Sequence, residues 1–310
     1  MKRLTQGISS IRRRKNFLSG FLRQTKLFFL LLLFLGSFAI AGAKSYTQTM
    51  PIPILGFHDI VDQQNPFEKP PYRLTFPTDY SQQKIAIFLE YLLQANYWTL
   101  STQEIQEYFI DKSRSIPQKK LGKKPIMITF DDGYLGIHKN VLPVVENLAD
   151  IYGEKIKLVL FVNPLYLGVN EGGEFLPHLS CEDLREGYQK GFYDIQSHGF
   201  SHKNLAKLKS KEMEFELSEA KNSLKKCFSG FSKTQNIGEH LAYPYGASNR
   251  EVEKIASKYY RTGFLYDNDL LDIYYSPNKY RLSRMTIGKN HSVNYLLSLA
   301  QKSSKLISQK

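Results

Sequence analysis

The stretch IMITFDDGY, from Ile126 to Tyr134, decides the fold. Apolar and β-branched residues run directly into two aspartates and a glycine, which predicts a buried strand ending in a polar turn. Two adjacent carboxylates in such a place cannot both be ionised and close together without compensation. The sequence therefore predicts a positive charge at the carboxyl end of this strand.

The segments on either side of this strand alternate between helix and strand patterns. Periodic apolar residues and short apolar runs predict helices over 84–97, 138–153 and 210–228, and strands over 156–162 and 193–198. Strands that alternate with helices imply a parallel sheet or barrel with the helices outside. The basic segment 111–125 contains Pro117 and Gly122 and predicts an exposed loop.

The formal net charge of +13 is concentrated near the amino terminus. Residues 1–43 hold eight of the 42 Lys and Arg residues and no acid, so 34 basic residues face 29 acidic ones in the remainder, a net charge of +5. We therefore interpret residues 1–26 as a basic cytoplasmic leader. No nucleic-acid partner is expected, because the rest of the chain shows no base-stacking or groove-reading motif.

Residues 27–43 form a run of 17 uncharged residues, LFFLLLLFLGSFAIAGA. This length lies between a signal-peptide core and a short membrane anchor. Ala41-Gly42-Ala43 has the form of a cleavage site, whereas the long basic leader favours an uncleaved anchor, so both alternatives stay open. Either one predicts export to the cell envelope or beyond, with the membrane as a partner if the segment is retained. Residues 44–51 are interpreted as a linker and 52–310 as one catalytic domain.

Two cysteines, Cys181 and Cys227, are far apart in the sequence. Outside the cytoplasm they could form a disulfide, but their spacing gives no geometry. Free buried thiols remain an equal alternative.

Polar residues gather at the ends of three predicted strands. The first group is Asp131-Asp132-Gly133, the second is His198 and His202 in SHGFSH, and the third is YPYG at 243–246. Each alone is explained by a turn, a helix cap or a core histidine. Carboxyl ends of parallel strands converge on one face, however, and two imidazoles with a carboxylate suit a divalent transition metal with open coordination positions. The three groups together therefore indicate an active site.

The successive motifs TFDDG, HGFSH and YPYG resemble those of the polysaccharide deacetylases, also called NodB-homology proteins or family four carbohydrate esterases. The resemblance covers residues 52–287, and IPILGFHDI and LAYPYG resemble the branch that acts on poly-N-acetylglucosamine. It implies an α/β fold, an irregular (β/α) barrel with fewer than eight strands. It also implies metal-dependent hydrolytic N-deacetylation of an extracellular N-acetylglucosamine polymer, with release of acetate. A peptidoglycan or chitin-type deacetylase and a decayed glycan-binding module at the membrane surface remain as alternatives.

The resemblance also implies roles for individual residues. Asp132, His198 and His202 match the family's metal ligands, usually around zinc, and Asp131 matches its catalytic base. The backbone N–H of Tyr245 matches the donor that stabilises the oxyanion.

The general acid departs from the commoner family pattern, which has a histidine late in the chain. The corresponding stretch RLSRMTIG has none, and His291 lies in a different setting. The poly-N-acetylglucosamine branch has a histidine near the start of the domain instead. We therefore expect His58, in GFHDI, to be the general acid, with Asp59 as a candidate for orienting it.

Two further family residues are missing. Ala242 stands where an arginine usually holds the catalytic aspartate, and we consider Arg284 a candidate replacement. The tryptophan of the fourth motif is absent, since the only tryptophan is Trp98. Among the aromatic residues, Tyr134 and Tyr243 are predicted to contact the sugar.

Overall fold

A computed structural model describes residues 51–169, 176–232, 234–274 and 278–306. The predicted leader, the apolar run at 27–43 and all of the linker except Pro51 lie outside these residues. Within the described ranges, every helix is too short or too polar to cross a bilayer.

The strands are short and occur along the whole described chain. They are β1 (Pro51–Ile52), β2 (Ile54–Phe57), β3 (Ile60–Val61), β4 (Tyr80–Ser81), β5 (Tyr97–Thr99), β6 (Lys124–Phe130), β7 (Leu158–Val162), β8 (Tyr193–Ser197), β9 (Leu241–Ala242), β10 (Gly263–Phe264), β11 (Leu271–Asp272) and β12 (Met285–Thr286).

Helices follow most of the central strands, as the predicted alternation requires. They are α1 (Gln82–Gln94), α2 (Thr102–Glu104), α3 (Leu142–Tyr152), α4 (Cys181–Gln189), α5 (Ser210–Cys227), α6 (Arg250–Ala256) and α7 (Val293–Ala300). The π-helical stretches Ile105–Ile110 and Ile137–Val141 adjoin α2 and α3, respectively. Single 3₁₀ turns occupy Pro66–Glu68, Gln118–Lys120, Pro164–Tyr166, Leu205–Lys207 and Pro244–Gly246.

One parallel sheet organises the domain, with strand order β10-β9-β8-β7-β6-β2-β12. The short β5 pairs with the first residues of β6, outside this continuous order. Two small pairs, β1 with β11 and β3 with β4, lie apart from the sheet. The seven-stranded curled sheet confirms the expected irregular (β/α) barrel.

A single late segment, residues 282–286, bridges the two edges of the curled sheet. Leu282 forms a parallel bridge with Phe264 at one edge, and Met285 and Thr286 pair with Leu55 and Gly56 at the other. The carboxyl ends of the parallel strands therefore lie around one rim, where side chains distant in sequence meet.

Strand β6 divides its side chains between two apolar clusters, as strand geometry requires. Ile126, Ile128 and Phe130 pack in the layer that also contains residues of α1, α3 and α4. Met127 faces the other way, into the cluster that holds Val159 and other strand residues. Thr129 and Asp131 lie on the same side of the strand as Met127. The Asp131 carboxylate therefore follows a row of side chains that faces the barrel interior.

The structure shortens one predicted helix. The pattern predicts helix over 84–97, but α1 ends at Gln94. Asn96 adopts a left-handed φ of 59°, which stops the helix, and Tyr97 pairs with Lys124 in the sheet. Tyr97, which continues the apolar pattern of the helix, is therefore a sheet residue.

Cys181 and Cys227 are joined by a disulfide. Cys181 begins α4 and Cys227 ends α5, so the bond ties the start of one outer helix to the end of the next. The two cysteines are 46 positions apart in the sequence. The disulfide settles the alternative that the sequence left open.

Replacing both cysteines by serine should lower the free energy of unfolding by about 2–4 kcal/mol, because the unfolded chain regains the entropy that the cross-link removes. Urea denaturation followed by circular dichroism measures this change. Reductant should shift the wild-type midpoint in the same direction and leave the double variant unchanged. Coincident transitions for the wild type and the double variant would contradict the expectation.

Candidate active site

The two aspartates that end β6 point in different directions because the backbone turns sharply between them. The Asp131 N–H still donates to the Phe57 carbonyl, as in a continuing ladder. Asp132 then adopts a φ of 70° and Gly133 a φ of 80°, both left-handed. A Cβ on Gly133 would lie 3.0 Å from Val162 Cγ1, so glycine suits both the conformation and the space. Asp131 is thus completely buried, while Asp132 lies at the rim.

Arg284 supplies a positive charge beside Asp131. Its two terminal nitrogens donate to the two carboxylate oxygens at 2.7 and 2.8 Å, and both side chains are fully buried. Arg284 also donates to Thr129 Oγ1 and to the Leu265 carbonyl, so its fork is fixed. This contact confirms Arg284 as the replacement for the arginine missing at Ala242.

The Arg284 ion pair keeps Asp131 ionised. Burial by itself would raise the pKa of Asp131, but the charges of Arg284 and His198 outweigh it and lower the pKa from 3.8 to about 2. The carboxylate therefore carries its negative charge across the physiological pH range.

Asp132, His198 and His202 come together in the geometry of a metal site. The Asp132 Oδ1 atom lies 3.5 Å from His198 Nε2 and 3.3 Å from His202 Nε2. One ligand atom from each of the three lies within 4.8 Å of the others. Ligands of a tetrahedral zinc ion, at about 2.0–2.1 Å from the metal, are separated by roughly 3.3 Å. The spacing therefore fits such an ion.

Hydrogen bonding prepares these side chains for a cation. His198 Nδ1 lies 2.8 Å from the Ala242 carbonyl, which places the ring proton on Nδ1 and leaves the Nε2 lone pair facing Asp132. Within the described ranges, the buried Asp132 Oδ1 has no hydrogen-bond donor. A buried carboxylate oxygen without a donor beside a free imidazole nitrogen is the environment that a metal ion satisfies.

The pKa values of the three candidate ligands agree with this chemistry. Burial lowers the pKa of His198 to about 3, although the Asp131 charge opposes it, and burial also lowers the pKa of His202. Both imidazoles are therefore neutral near pH 7, the form that binds metals. Burial raises the pKa of Asp132 to about 6, with the His58 charge acting in the opposite direction.

His58 lies at the carboxyl end of β2, next to the two aspartates. Its ring stacks on Tyr266 with centroids 5.8 Å apart, and its charge would lower the pKa of both Asp131 and Asp132. Its buried Nδ1 has no hydrogen-bond partner in the described part of the chain. The histidine therefore lies close to both aspartates, and its role as the general acid stays a prediction.

The prediction that Asp59 orients His58 is wrong. The Asp59 carboxylate accepts from Arg73 at 2.8 Å and from the Ile60 N–H at 2.9 Å, and it turns away from the imidazole. Arg73 also binds Asp79, so Asp59 fixes the loop between β3 and β4. Tyr266, through its stacked ring, is the residue that holds His58.

Tyr245 has a left-handed backbone, with a φ of 62°, as do Asp132 and His202 at this rim. Its ring is 66% exposed and packs against His202 with centroids 4.6 Å apart. In the described ranges, no backbone carbonyl or side chain accepts from its backbone N–H. The amide is thus available to an oxyanion, and its role as the donor stays a prediction.

The two predicted sugar contacts have different outcomes. Tyr134 is half-buried at the rim, its ring lies 4.9 Å from that of His178, and its hydroxyl interacts with Asp132. Tyr243 is completely buried, and its hydroxyl donates to the Tyr280 carbonyl. The prediction for Tyr243 is therefore wrong, because its ring fills the core under β9 and β10.

An open cleft of about 250 Å³ is a further feature of the described surface. Asp59 and Gly136, which line it, are close in sequence to His58 and Tyr134. Its outer wall carries Phe67 and Tyr72, each 69% exposed, with ring centroids 5.2 Å apart. Exposed aromatic faces next to polar groups are suited to a carbohydrate surface.

The sequence reasoning missed three residues that support the site. Tyr266 lies between His58 and Arg284, with the guanidinium 3.9 Å from its ring centroid. It ends the strand-like stretch RTGFLY, residues 261–266, which was a usable signal. Asn163 and Glu216 hold the turn that carries the two histidines. Asn163 also follows a strand, so its position in the sequence was informative. Glu216 lies in a helix with many charged residues, and nothing in the sequence distinguishes it from the others.

Comparisons with known proteins agree with this geometry. Residues 118–263 match the sequence model of the polysaccharide deacetylase family. The chain is 26% identical over 274 residues to the poly-beta-1,6-N-acetyl-D-glucosamine N-deacetylase of Staphylococcus aureus (strain MRSA252), a match that covers 77% of this chain and 88% of that protein. It is 30% identical over 140 residues to the polysaccharide deacetylase YxkH of Bacillus subtilis (strain 168), covering 45% of this chain but only 43% of that protein.

The fold is also found in a solved structure. The polysaccharide deacetylase BC0361 from Bacillus cereus superimposes with a TM-score of 0.65 at 22% identity, over 81% of this chain and 69% of that one. Residues 118–263 are therefore similar in sequence to the polysaccharide deacetylases, and the described chain shares their fold. The chain is accordingly a hydrolase that acts on amide bonds.

Replacing Arg284 by methionine should lower the free energy of unfolding by about 3–5 kcal/mol at pH 7, because Asp131 is then buried without a countercharge. The low pKa of Asp131 stabilises the wild type above its ordinary pKa of 3.8, and this contribution disappears as the pH falls to about 2. The difference between wild type and variant should therefore narrow from pH 4 to pH 2. Urea titrations at several pH values measure it.

Arg281 is the matched control for this experiment. It is more than half exposed and contacts Glu253 at 3.4 Å, so Arg281→Met should change stability by less than about 1 kcal/mol. Equal losses for the two arginines, or a pH-independent loss for Arg284→Met, would contradict the role of the buried pair.

Proposed function

We propose that this protein is a metal-dependent N-deacetylase of an extracellular N-acetylglucosamine polymer of the poly-N-acetylglucosamine type. One observation carries the proposal. The ionised Asp131 lies beside the metal-type cluster, with its Oδ2 3.7 Å from His198 Nε2. A base next to such a cluster is the arrangement that hydrolyses an amide with water.

Asp132, His198 and His202 would hold the metal, for which we propose Zn²⁺. When bound, the metal acidifies a water molecule and polarises the acetamide carbonyl. These three side chains supply two neutral nitrogens and one oxygen, a set that leaves coordination positions open for water and substrate.

The remaining roles follow from the positions of this chain's own groups. Asp131 accepts the proton of the attacking water, and Arg284 holds its carboxylate in a fixed orientation. The Tyr245 N–H donates to the oxygen on which negative charge develops. His58 then donates a proton to the departing amine, which leaves with acetate as the second product. Tyr266 fixes the plane of the His58 ring during this transfer.

The polymer assignment is supported by the Staphylococcus aureus relative, which matches this chain over most of its length. It is also supported by the open cleft, which carries the exposed rings of Phe67 and Tyr72. Each deacetylation replaces a neutral amide with an ammonium group, so the product would be a more cationic glycan.

We further propose that the protein is exported and acts at the cell envelope or outside it. The basic leader and the apolar run at 27–43 support export, either by cleavage or by anchoring in the membrane. The Cys181–Cys227 disulfide supports it as well, since such bonds persist in oxidising compartments.

Acetate release from poly-β-1,6-N-acetylglucosamine oligomers tests the proposed activity. Chelation should abolish release, and added zinc should restore it. Asp131→Asn should lower kcat by at least about 100-fold per folded, metal-loaded molecule, because it removes the proton acceptor. Parallel assays use peptidoglycan and chitin oligomers.

Each possible result of this assay has a distinct meaning. Turnover confined to peptidoglycan or chitin oligomers would replace the proposed substrate with that glycan. If no polymer gives chelator-sensitive acetate release with any of several divalent metals, the proposed deacetylase function would be rejected in favour of a glycan-binding module.

His58 and His291 provide a matched pair for identifying the general acid. His58→Ala should lower kcat by about 100-fold or more while metal affinity stays unchanged. His291 accepts from the Gly288 N–H and stacks on Tyr295, so His291→Ala should leave kcat unchanged. Loss of activity in the His291 variant alone would reverse the assignment.

A further inference from the structure

The turn that carries both metal-type histidines, residues 198–202, is held by one short neighbouring segment, residues 163–166. Every carbonyl oxygen from His198 to Ser201 accepts a hydrogen bond from this segment. The donors are Asn163 Nδ2 to the carbonyls of His198 (2.5 Å) and Gly199 (3.1 Å), the Leu165 N–H to Phe200 (3.1 Å), and the Tyr166 hydroxyl to Ser201 (3.3 Å). The carbonyl side of the turn is therefore completely satisfied.

Glu216 holds the opposite side of the same turn. Its two carboxylate oxygens accept from the Ser201 N–H at 2.9 Å and from the Ser201 hydroxyl at 2.5 Å. Glu216 lies in the middle of α5 and is only 1% exposed. Lys203 Nζ lies 3.6 Å from it, at the edge of hydrogen-bonding range. A carboxylate this deeply buried is stabilised chiefly by the turn that it binds.

The residue after Ser201 is the one that needs such support. His202 adopts a φ of 59°, a left-handed conformation that a non-glycine residue takes at a cost of about 1–3 kcal/mol. Its side chain is also 28% exposed, against 2% for His198, so packing alone restrains it less. Whatever fixes Ser201 therefore fixes where the His202 imidazole stands.

We propose that Glu216 is a positioning residue for the metal centre and sets its affinity by fixing Ser201 and, through it, His202. The inference rests on the metal centre of the proposed function. Glu216 touches neither the metal nor the substrate, and it acts through one hydrogen-bonded neighbour of a ligand. Groups that orient metal ligands in this way typically change metal affinity 10–100-fold when removed.

Zinc affinity of the full chain, measured without substrate by competition with a chromophoric chelator, tests the inference. Glu216→Ala should weaken zinc binding about 10–100-fold. Glu216→Gln, which keeps an oxygen acceptor for the Ser201 N–H, should recover part of the loss. Ser201→Ala, which removes only the hydroxyl contact, should show a smaller loss. The visible absorption of the cobalt-loaded protein should shift in Glu216→Ala, because the ligand geometry changes.

Glu214 is the matched control on the same helix. Its side chain is 38% exposed and pairs with Lys258 at 2.7 Å, so Glu214→Ala should bind zinc as the wild type does. If Glu216→Ala fails to fold in chelator, Glu216→Gln and Ser201→Ala carry the comparison.

Wild-type zinc affinity and an unchanged cobalt spectrum in the folded Glu216 variants would overturn the inference. So would an equal loss of affinity in Glu214→Ala, or a wild-type protein that binds neither zinc nor cobalt. A wild-type protein that binds zinc but releases no acetate would end the deacetylase proposal and leave this inference standing.

Discussion

The buried ion pair between Asp131 and Arg284 is the interaction on which the rest of the site depends. A carboxylate at the end of an interior row would be protonated or expelled if it were alone, because burial raises its pKa. The guanidinium fork keeps it charged and holds both of its oxygens in place. The same arginine binds Thr129 and the Leu265 carbonyl, so the pair also connects β6 to the segments near β10 and β12. The contact that keeps Asp131 charged therefore also contributes to closing the barrel.

Backbone conformation is the second constraint at this rim. Of the six non-glycine residues with positive φ in the described part of the chain, three are Asp132, His202 and Tyr245. They supply two metal-type ligands and the candidate oxyanion donor, one from each of the three motifs. Left-handed residues persist where the surroundings over-determine them. For His202 the supporting contacts can be named, since Glu216 and the segment 163–166 hold the turn that precedes it.

Much of this architecture could be predicted from the sequence, because the informative patterns are local. The period of the apolar residues gave the order of strands and helices, and parallel topology implied that Asp132, His198 and His202 would meet. The errors arose where orientation mattered: Asp59 turns to Arg73, and Tyr243 is buried although it sits within a site motif. The role of Glu216 could not be predicted from the sequence, because only the packing of α5 brings it next to its partner, Ser201. Arg284 lies 153 residues from Asp131, and the sequence supplied it only as a candidate.

The bridging of the sheet by residues 282–286 has a consequence for how the molecule is assembled. During synthesis, the strands that surround Asp131 emerge well before the segment that neutralises it. Without residues 282–286 in place, the sheet would have an open seam and Asp131 would be an uncompensated interior charge. Pairing of residues 282–286 closes the seam and brings Arg284 to Asp131 together, so closure of the sheet and completion of the site depend on the same segment.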